Sequence, residues 1–378
     1  MLRPSKSFAL LLALLAAPAA AETRTAEAAA ADGGGWTQFR GGPQQTGIAA
    51  DVLEPPLEVA WTATVPEGIE SSAAIAAGTV YVGGLDGKLY AFDLKSGTLR
   101  WSYQAEDEIK SSPLVHEGTV YVGDEYGTFH AVDAASGSGK WTFQADSSIP
   151  GSANAAGGCI LFGSYDNFLY CLAPDGTLRW KIETQGYVHG TPAAWQGKAI
   201  ASGCDGFLRT VDLASGKELQ SLEIGGYVSA SPAIAGGRAF FGTMENAVVA
   251  VDLEGGEVAW SFRPEREFPF YASAAVRDGL VIVAGRNKRV HALEAASGAE
   301  RWSHSRPARV DASPVISGGY VYAADKAGNV FALALSGGEL AWEFATGDGF
   351  AASPAIGGGH LVIGNEAGTV FAFVEQDR

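Results

Sequence analysis

A segment of about 40 residues is repeated along this chain of 378 residues. Residues 71–101 read SSAAIAAGTVYVGGLDGKLYAFDLKSGTLRW, and residues 111–141 read SSPLVHEGTVYVGDEYGTFHAVDAASGSGKW. Most copies end in tryptophan, and the steps between these tryptophans are 40, 40, 39, 80, 42 and 40 residues. The tryptophans are Trp61, Trp101, Trp141, Trp180, Trp260, Trp302 and Trp342. The step of 80 residues contains a degenerate copy that ends at Leu219-Gln220. This fixed period predicts a stack of one supersecondary unit.

Each copy has a β-strand pattern. Short runs such as VYVGG at 80–84 and AFFGT at 239–243 are rich in β-branched and aromatic residues and contain a glycine near the end. Pairs such as Asp86-Gly87 then close a two-residue hairpin. A third strand, a glycine turn and a final strand complete the unit. Eight four-stranded units predict an all-β fold, an eight-bladed β-propeller.

The two ends of the repeat array indicate how the ring closes. The last copy stops after VIGNEAGTVFAFV and lacks a fourth strand. Residues 57–61, LEVAW, form a fourth strand that has no blade of its own. A closed ring removes the exposed sheet edges that a linear array would leave. We therefore expect this N-terminal strand to complete the last blade.

The beginning of the chain has the pattern of an export signal. Arg3 and Lys6 precede an apolar run at 8–17, and small residues at 19–21 fit a cleavage site. We predict a signal peptide at 1–21, a disordered Ala/Gly-rich lead-in at 22–35 and a single propeller domain at 36–378. The first cysteine is Cys159, so no lipid-anchor cysteine follows the cleavage site. The expected location is the periplasm or the extracellular space.

Charge and cysteines restrict the partners further. The net charge of −16 argues against nucleic acid and anionic membrane surfaces as partners. We expect a monomer that does not insert into a membrane. An odd count of 3 cysteines leaves at least one thiol unpaired. Cys159 and Cys171 lie on two arms of one predicted hairpin, which allows a bridge. Because Cys171 replaces Ala91 and Ala131 of sister repeats, a buried small residue is the default interpretation; Cys204 has no predicted partner.

The repeat ending resembles a known motif. AFDLKSGTLRW (91–101), AVDAASGSGKW (131–141) and AVDLEGGEVAW (250–260) are similar to the tryptophan-docking repeat, Ala-x-Asp-x-x-x-Gly-x-x-x-Trp. This motif occurs in pyrroloquinoline quinone (PQQ) dehydrogenases and their non-enzymatic relatives. The opening WTQFRGG at 36–42 also resembles exported PQQ-like repeat proteins. The resemblance covers residue 36 to the C-terminus and implies an eight-bladed propeller with docking tryptophans.

The resemblance implies more than one function. The superfamily includes quinoprotein alcohol and sugar dehydrogenases and the BamB outer-membrane assembly factor, a scaffold without a cofactor. We expect a non-catalytic, BamB-like scaffold with protein partners, in outer-membrane protein assembly. A PQQ- and Ca²⁺-dependent dehydrogenase and an extracellular ligand-binding propeller stay open as alternatives. The enzymes are much longer, with loop insertions that cover the cofactor, whereas the repeats here run almost without insertion. The adjacent cysteine pair of many of those enzymes is absent, and no Cys-x-x-Cys-His haem motif occurs.

A ring of residues precedes the innermost strands and should line one mouth of the channel. They are Glu70, Lys110, Pro150, His189, Ser229, Tyr271, Asp311 and Ala351. A PQQ enzyme needs cations for the quinone carboxylates, oxygen ligands for Ca²⁺ and a carboxylate base. Glu70, Lys110, His189, Tyr271 and Asp311 are the candidates for a binding funnel. We interpret the ring as a solvated mouth, because a ligand site needs an enclosed and mostly apolar pocket.

Two further patterns bear on function. The stretch 263–270, RPEREFPF, is the longest departure from the repeat, and Phe268, Phe270 and Tyr271 are candidates for partner contact. A merely longer connection is the alternative. The 6 histidines show no zinc-site spacing, so no metal site is predicted. No nucleophile elbow or phosphate loop occurs, and no catalytic residue is predicted.

Overall fold

The structure is a computed structural model that describes residues 35–376. The described chain is almost entirely β-strand, with one 3₁₀ turn at Phe39–Gly41. Its strands form eight four-stranded antiparallel sheets, so the predicted eight-bladed β-propeller is confirmed. The predicted signal peptide at 1–21, and all but the last residue of the lead-in at 22–35, lie outside the described residues. Within residues 35–376 no helix has the length and apolar character needed to span a membrane.

The strands are numbered in chain order, and β1 is Leu57–Thr64. Blade 1 contains β2 (Ala74–Ala76), β3 (Thr79–Gly83), β4 (Lys88–Asp93) and β5 (Leu99–Gln104). Blade 2 contains β6 (Leu114–His116), β7 (Thr119–Gly123), β8 (Thr128–Asp133) and β9 (Gly139–Gln144). Blade 3 contains β10 (Asn154–Ala156), β11 (Cys159–Gly163), β12 (Phe168–Leu172) and β13 (Leu178–Glu183). Blade 4 contains β14 (Ala193–Trp195), β15 (Lys198–Ser202), β16 (Phe207–Asp212) and β17 (Glu218–Glu223).

The second half of the ring repeats this order. Blade 5 contains β18 (Ala233–Ala235), β19 (Arg238–Gly242), β20 (Val248–Asp252) and β21 (Glu257–Phe262). Blade 6 contains β22 (Ala275–Arg277), β23 (Leu280–Gly285), β24 (Arg289–Glu294) and β25 (Glu300–Ser305). Blade 7 contains β26 (Val315–Ser317), β27 (Tyr320–Ala324), β28 (Asn329–Ala334) and β29 (Leu340–Ala345). Blade 8 contains β30 (Ala355–Gly357), β31 (His360–Gly364) and β32 (Thr369–Glu375), with β1 as its fourth strand.

The closing strand pairs as the sequence predicts. Antiparallel pairing of β1 with β32 runs from Leu57 opposite Glu375 to Thr64 opposite Thr369. Leu57 and Trp61 are buried, while alternate residues of the strand face solvent. One sheet therefore contains both ends of the repeat array, and its hydrogen bonds close the ring.

The tryptophans join each blade to the next one. The indole of Trp61 donates a hydrogen bond to the Leu94 carbonyl at 2.7 Å, and Trp101 donates to the Ala134 carbonyl at 3.1 Å. Six of the seven rings lie against a glycine of the next blade, and Trp342 instead donates its indole hydrogen bond to the Leu57 carbonyl of β1. A Cβ placed on Gly97, whose φ is +69°, would lie 2.6 Å from the Trp61 ring. The flat indole and the bare glycine therefore fit one another, and the predicted docking role is consistent with this geometry.

In the degenerate copy, glutamine stands at the position of the docking tryptophan. Gln220 lies opposite Thr210, as Trp101 lies opposite Ala91 in blade 1. The Gln220 amide approaches Gly256, the counterpart of the docking glycine. The backbone therefore keeps the repeat at this junction although the indole is missing.

Residues 36–49, here called the plug segment, cross the inner edges of the blades. In six blades the amide of the innermost strand's middle residue donates to a plug carbonyl at 2.7–2.9 Å. These pairs are Ile75–Trp36, Val115–Thr37, Ala194–Pro43, Ile234–Gln44, Val276–Thr46 and Ile316–Gly47. The plug segment thus satisfies edge groups that a bare channel would leave without a protein partner.

Two cysteines are covalently joined. Cys159 and Cys171 form a disulfide between β11 and β12, so the bridge that their places on one predicted hairpin allow is confirmed. Cys171 is buried, as the default interpretation expects, but it is also covalently bonded, and the Cα atoms lie 5.2 Å apart, within the range for a disulfide. Cys204 is a free thiol and is half-buried. The chain therefore has a single thiol available for labelling.

Candidate functional site at the channel mouth

The incoming loop of every blade contributes one residue to a common cavity at one end of the channel. The eight predicted positions, Glu70, Lys110, Pro150, His189, Ser229, Tyr271, Asp311 and Ala351, all line this cavity of about 160 Å³. The ring symmetry of the blades places residues of equal repeat position at equal depth. We call this cavity the channel mouth.

A ring of hydroxyl side chains lies below these residues. Seven of the eight backbone amides of the ring donate to the hydroxyl of the next blade, as Ser72 donates to Ser112 at 3.0 Å and Ser353 to Ser72 at 2.8 Å. The ring comprises Ser72, Ser112, Ser152, Thr191, Ser231, Ser273, Ser313 and Ser353. Phe39 of the plug segment also lines this cavity. The channel mouth is therefore a small recess with a mostly polar lining.

The charged residues of the mouth bind one another. The Lys110 ammonium lies 2.9 Å from the Glu108 carboxylate and 3.8 Å from that of Glu125. Arg286 binds Asp311 at 3.1 Å, and its guanidinium lies 3.7 Å from the centre of the Tyr271 ring. These pairs leave little cationic charge for a bound ligand.

Two pKa shifts follow from this crowding. Burial lowers the pKa of Lys110, but its hydrogen bond to Glu108 and the neighbouring carboxylates outweigh that effect and raise it. Burial raises the pKa of Glu125, and the carboxylates of Glu108 and Glu70 raise it further against the opposing charge of Lys110. Lys110 and Glu125 therefore affect one another's pKa at this side of the channel mouth.

His189 has a neutral partner. The Tyr165 hydroxyl lies 2.7 Å from His189 Nδ1, and Tyr165 also stacks on Tyr187 with ring centres 4.5 Å apart. Burial lowers the pKa of His189. The surroundings of His189 thus favour the neutral imidazole, which lies beside the Tyr165 ring.

We expect this histidine to make the fold sensitive to acid. A lowered pKa means that the unfolded chain binds the proton more readily, so stability falls as pH drops below the unfolded value of about 6.5. His189→Asn keeps an acceptor for Tyr165 and removes the titration. The free energy of unfolding, measured by urea denaturation at pH 7 and pH 5, should fall less between these pH values in the variant than in the natural protein. Equal losses in both proteins would contradict the assignment.

The predicted partner patch is only partly at the surface. Phe268 is 44% exposed, but Phe270 is fully buried beneath Gly242 and Gly285. The prediction that Phe270 contacts a partner is therefore wrong, because the longer loop tucks this ring between blades 5 and 6. Tyr271 turns into the mouth, where Arg286 covers it.

The exposed aromatic side chains lie on one face. Among residues 35–376, the large aromatic rings that are exposed are Tyr126, Tyr187, Tyr227 and Phe268. Tyr187 and Tyr227 occupy the same repeat position, two residues before the mouth residues of blades 4 and 5. Tyr126 lies in the β7–β8 turn, whose Glu125 amide bonds the incoming loop at Glu108. We call these four residues the aromatic arc.

Sequence reasoning missed most of the aromatic arc. Tyr187 and Tyr227 could have been found by comparing the position two residues before each mouth residue, where sister blades carry Gly68, Glu108 and Ser148. Tyr126 falls in a turn that the repeat pattern marks only as polar. The arc is visible only when the turns of different blades are placed side by side.

A larger cavity of about 1030 Å³ lies between blades 5 and 6 at the opposite end of the ring. Its cations already have partners. Arg238 donates to the Ala295 carbonyl at 3.0 Å, and Arg301 binds Glu294 at 2.7 Å. We assign no ligand to this cleft.

Comparison with known proteins identifies the family. A family profile of PQQ-like repeats, described as "Outer membrane protein assembly factor BamB", matches residues 52–156, 146–267 and 244–377. The fold is similar to that of BamB from Moraxella catarrhalis, with 17% identity and a TM-score of 0.73 over 86% of this chain and 99% of that one. It is also similar to quinohemoprotein alcohol dehydrogenase from Comamonas testosteroni, with 14% identity and a TM-score of 0.80 over 94% of this chain and 83% of that one.

One curated relative matches over a short segment. Beta-alanine-activating enzyme from Mus musculus is 40% identical over 70 residues, which is 17% of this chain and 6% of that protein. This chain therefore covers only a small part of that enzyme's length. The two solved structures share too little sequence to show more than the fold. Because the family profile extends over most of the repeat array, the chain belongs to the PQQ-like repeat family of outer membrane protein assembly factor BamB.

Proposed function

We propose that this protein is an exported, non-catalytic propeller that binds partner proteins as a scaffold, in the manner of the BamB family to which it belongs. The observation that carries the proposal is the aromatic arc, which gathers the exposed large aromatic rings of the described chain on one face. Tyrosine and phenylalanine provide large contact areas at protein interfaces. The paired charges of the channel mouth supply a polar centre beside the arc.

The aromatic arc extends over several blades of the ring. Its members come from blade 2 and from the loops that enter blades 4, 5 and 6, so a partner resting on them would cover about half of this face. The other half carries ion pairs such as Arg309 with Asp311 at 3.1 Å. An apolar arc beside a charged rim is the anatomy of a protein-binding surface rather than of a small-molecule pocket.

The alternative of a PQQ-dependent dehydrogenase is less well supported by the residues present. The mouth cavity of about 160 Å³ is smaller than the roughly 300–1,000 Å³ of typical small-molecule sites. Lys110 and Arg286, which would face quinone carboxylates, are bound to Glu108 and Asp311. The donor set does not fit a quinone with a calcium ion, so we derive no redox step for this chain.

A binding experiment separates the two functions. The purified protein is expected to bind outer-membrane assembly proteins in detergent extracts of its own cell envelope, identified by cross-linking through a label on Cys204. With PQQ and Ca²⁺ added, no quinone absorbance shift and no dye-linked alcohol oxidation are expected. Dye reduction that depends on PQQ would refute the scaffold proposal and support the dehydrogenase. Cross-links only to unrelated proteins would refute the assembly role.

A further inference from the structure

We propose that blade 2 contains a binding site for a divalent transition-metal ion, formed by Glu106, Asp124 and His130. One ligand atom from each of these side chains lies within 4.8 Å of the other two. Imidazole nitrogen and carboxylate oxygen are both common ligands of zinc. The site is separate from the channel mouth, and the proposed scaffold role does not depend on it.

The fold brings the three residues together from separate segments. Asp124 follows β7, His130 lies on β8, and Glu106 follows β5 of the preceding blade. Asp124 and His130 are buried, with exposures of 0% and 1%, whereas Glu106 is exposed. Two ligands are therefore fixed by the core, and the third is a surface side chain that can adjust its position.

Hydrogen bonds orient the buried pair. His130 Nε2 lies 2.9 Å from Asp124 Oδ2, and the Tyr103 hydroxyl lies 3.2 Å from His130 Nδ1. The backbone amide of Thr128 donates to Asp124 Oδ1 at 2.7 Å, and its hydroxyl contacts the Glu106 carboxylate. The second ring nitrogen of a metal-bound histidine is commonly held by an outer hydrogen-bond partner, and the Tyr103 hydroxyl is placed to be that partner here.

The carboxylates of the proposed metal site have no fixed counter-ion among the lysines and arginines of the described chain. Within residues 35–376, neither Glu106 nor Asp124 has a lysine or arginine ion-pair partner, and the ion pair of Asp124 is with His130. Burial of a carboxylate next to a second one is costly unless a cation compensates it. A bound metal ion would supply this cation.

In blade 7 the buried aspartate at the same repeat position is paired with an arginine of the protein itself. Asp325 follows β27 as Asp124 follows β7, and it is equally buried. Arg306, from the end of the preceding blade, donates to Asp325 through Nε at 3.2 Å and Nη2 at 3.0 Å. In blade 2 the preceding blade supplies Glu106 instead. Ala105 occupies the repeat position of Arg306, so blade 2 has no guanidinium here, and the adjacent Glu106 adds a carboxylate that favours an external cation.

The test uses zinc chloride with purified protein that carries no polyhistidine tag. One zinc ion per chain is expected in isothermal titration calorimetry, and Tm is expected to rise by a few degrees at about a hundred times Kd. Glu106→Gln keeps a contact with Thr128 and removes one charge at the surface. It should weaken zinc binding at least about tenfold, which is the usual effect of losing a ligand or its partner, with an unchanged Tm in the absence of metal.

Two further variants make the result specific. His130→Gln should abolish the zinc-dependent rise in Tm, whereas His116→Gln, which alters an exposed histidine 3.8 Å from Glu117, should leave it unchanged. Calcium chloride should have no effect, because calcium needs six or more oxygen ligands. The proposal is overturned if the natural protein takes up no stoichiometric zinc. It is also overturned if Glu106→Gln and His130→Gln bind zinc as the natural protein does.

Discussion

Replacement of Trp61 by alanine is expected to lower the free energy of unfolding by about 3–5 kcal/mol, the range for large buried aromatic residues. Trp61 is 8% exposed and donates its indole hydrogen bond to Leu94 at 2.7 Å. It also lies on β1, so its loss weakens the strand that closes the ring. Urea denaturation followed by intrinsic fluorescence and circular dichroism measures the change.

Gln220→Ala is the matched control for this prediction. Gln220 lies at the same register position in blade 4, opposite Thr210, but it is only half-buried and has no indole to dock. We expect Gln220→Ala to lower the free energy of unfolding by less than about 1 kcal/mol, as substitutions at exposed and half-exposed positions usually do. Similar losses in the two variants would mean that indole docking does not stabilise the ring.

Replacement of three of the four residues of the aromatic arc is expected to weaken partner binding strongly while the fold is retained. The triple variant Tyr187→Ser, Tyr227→Ser, Phe268→Ser changes three exposed side chains. Truncation of a single hot-spot aromatic residue costs about 2 kcal/mol or more, and such losses are not additive, so affinity should fall at least about 30-fold. Biolayer interferometry against the isolated outer-membrane assembly proteins of the same cell measures the loss.

The control for the arc is a set of equally exposed apolar residues at the outer rim. Leu178, Leu219 and Leu340 are 42%, 49% and 46% exposed and begin or lie near the start of outermost strands. Their combined replacement by serine should leave affinity unchanged. If the rim variant loses binding and the arc variant does not, the partner uses the outer edge of the propeller instead.

Much of the fold could be predicted because repetition makes local signals add up. Hairpin glycines, alternating strands and a tryptophan every 40 residues occur often enough that one weak copy at Leu219-Gln220 does not obscure the count. The incomplete last copy and the extra strand at 57–61 also indicated how the ring closes. The same logic placed the eight mouth residues together, because equal repeat positions occupy equal places in a ring.

The sites could not be predicted in the same way, because they depend on contacts between different blades. Phe270 follows Phe268 by two residues, yet one ring is buried and the other exposed, and only the path of the longer loop decides which. Glu106, Asp124 and His130 have no spacing typical of a metal site, since the hairpin and the neighbouring blade bring them together.

The amino-acid sequence by itself determined the unit, its number and the closure of the ring, because strand period, turn chemistry and docking tryptophans are local properties that each copy repeats. The tertiary structure alone decided which side chains meet. It paired Lys110 with Glu108 and Arg286 with Asp311, joined Cys159 to Cys171, and gathered the aromatic arc on one face. The physical reason is that charge pairing and burial depend on distances through space, which a repeat period does not specify.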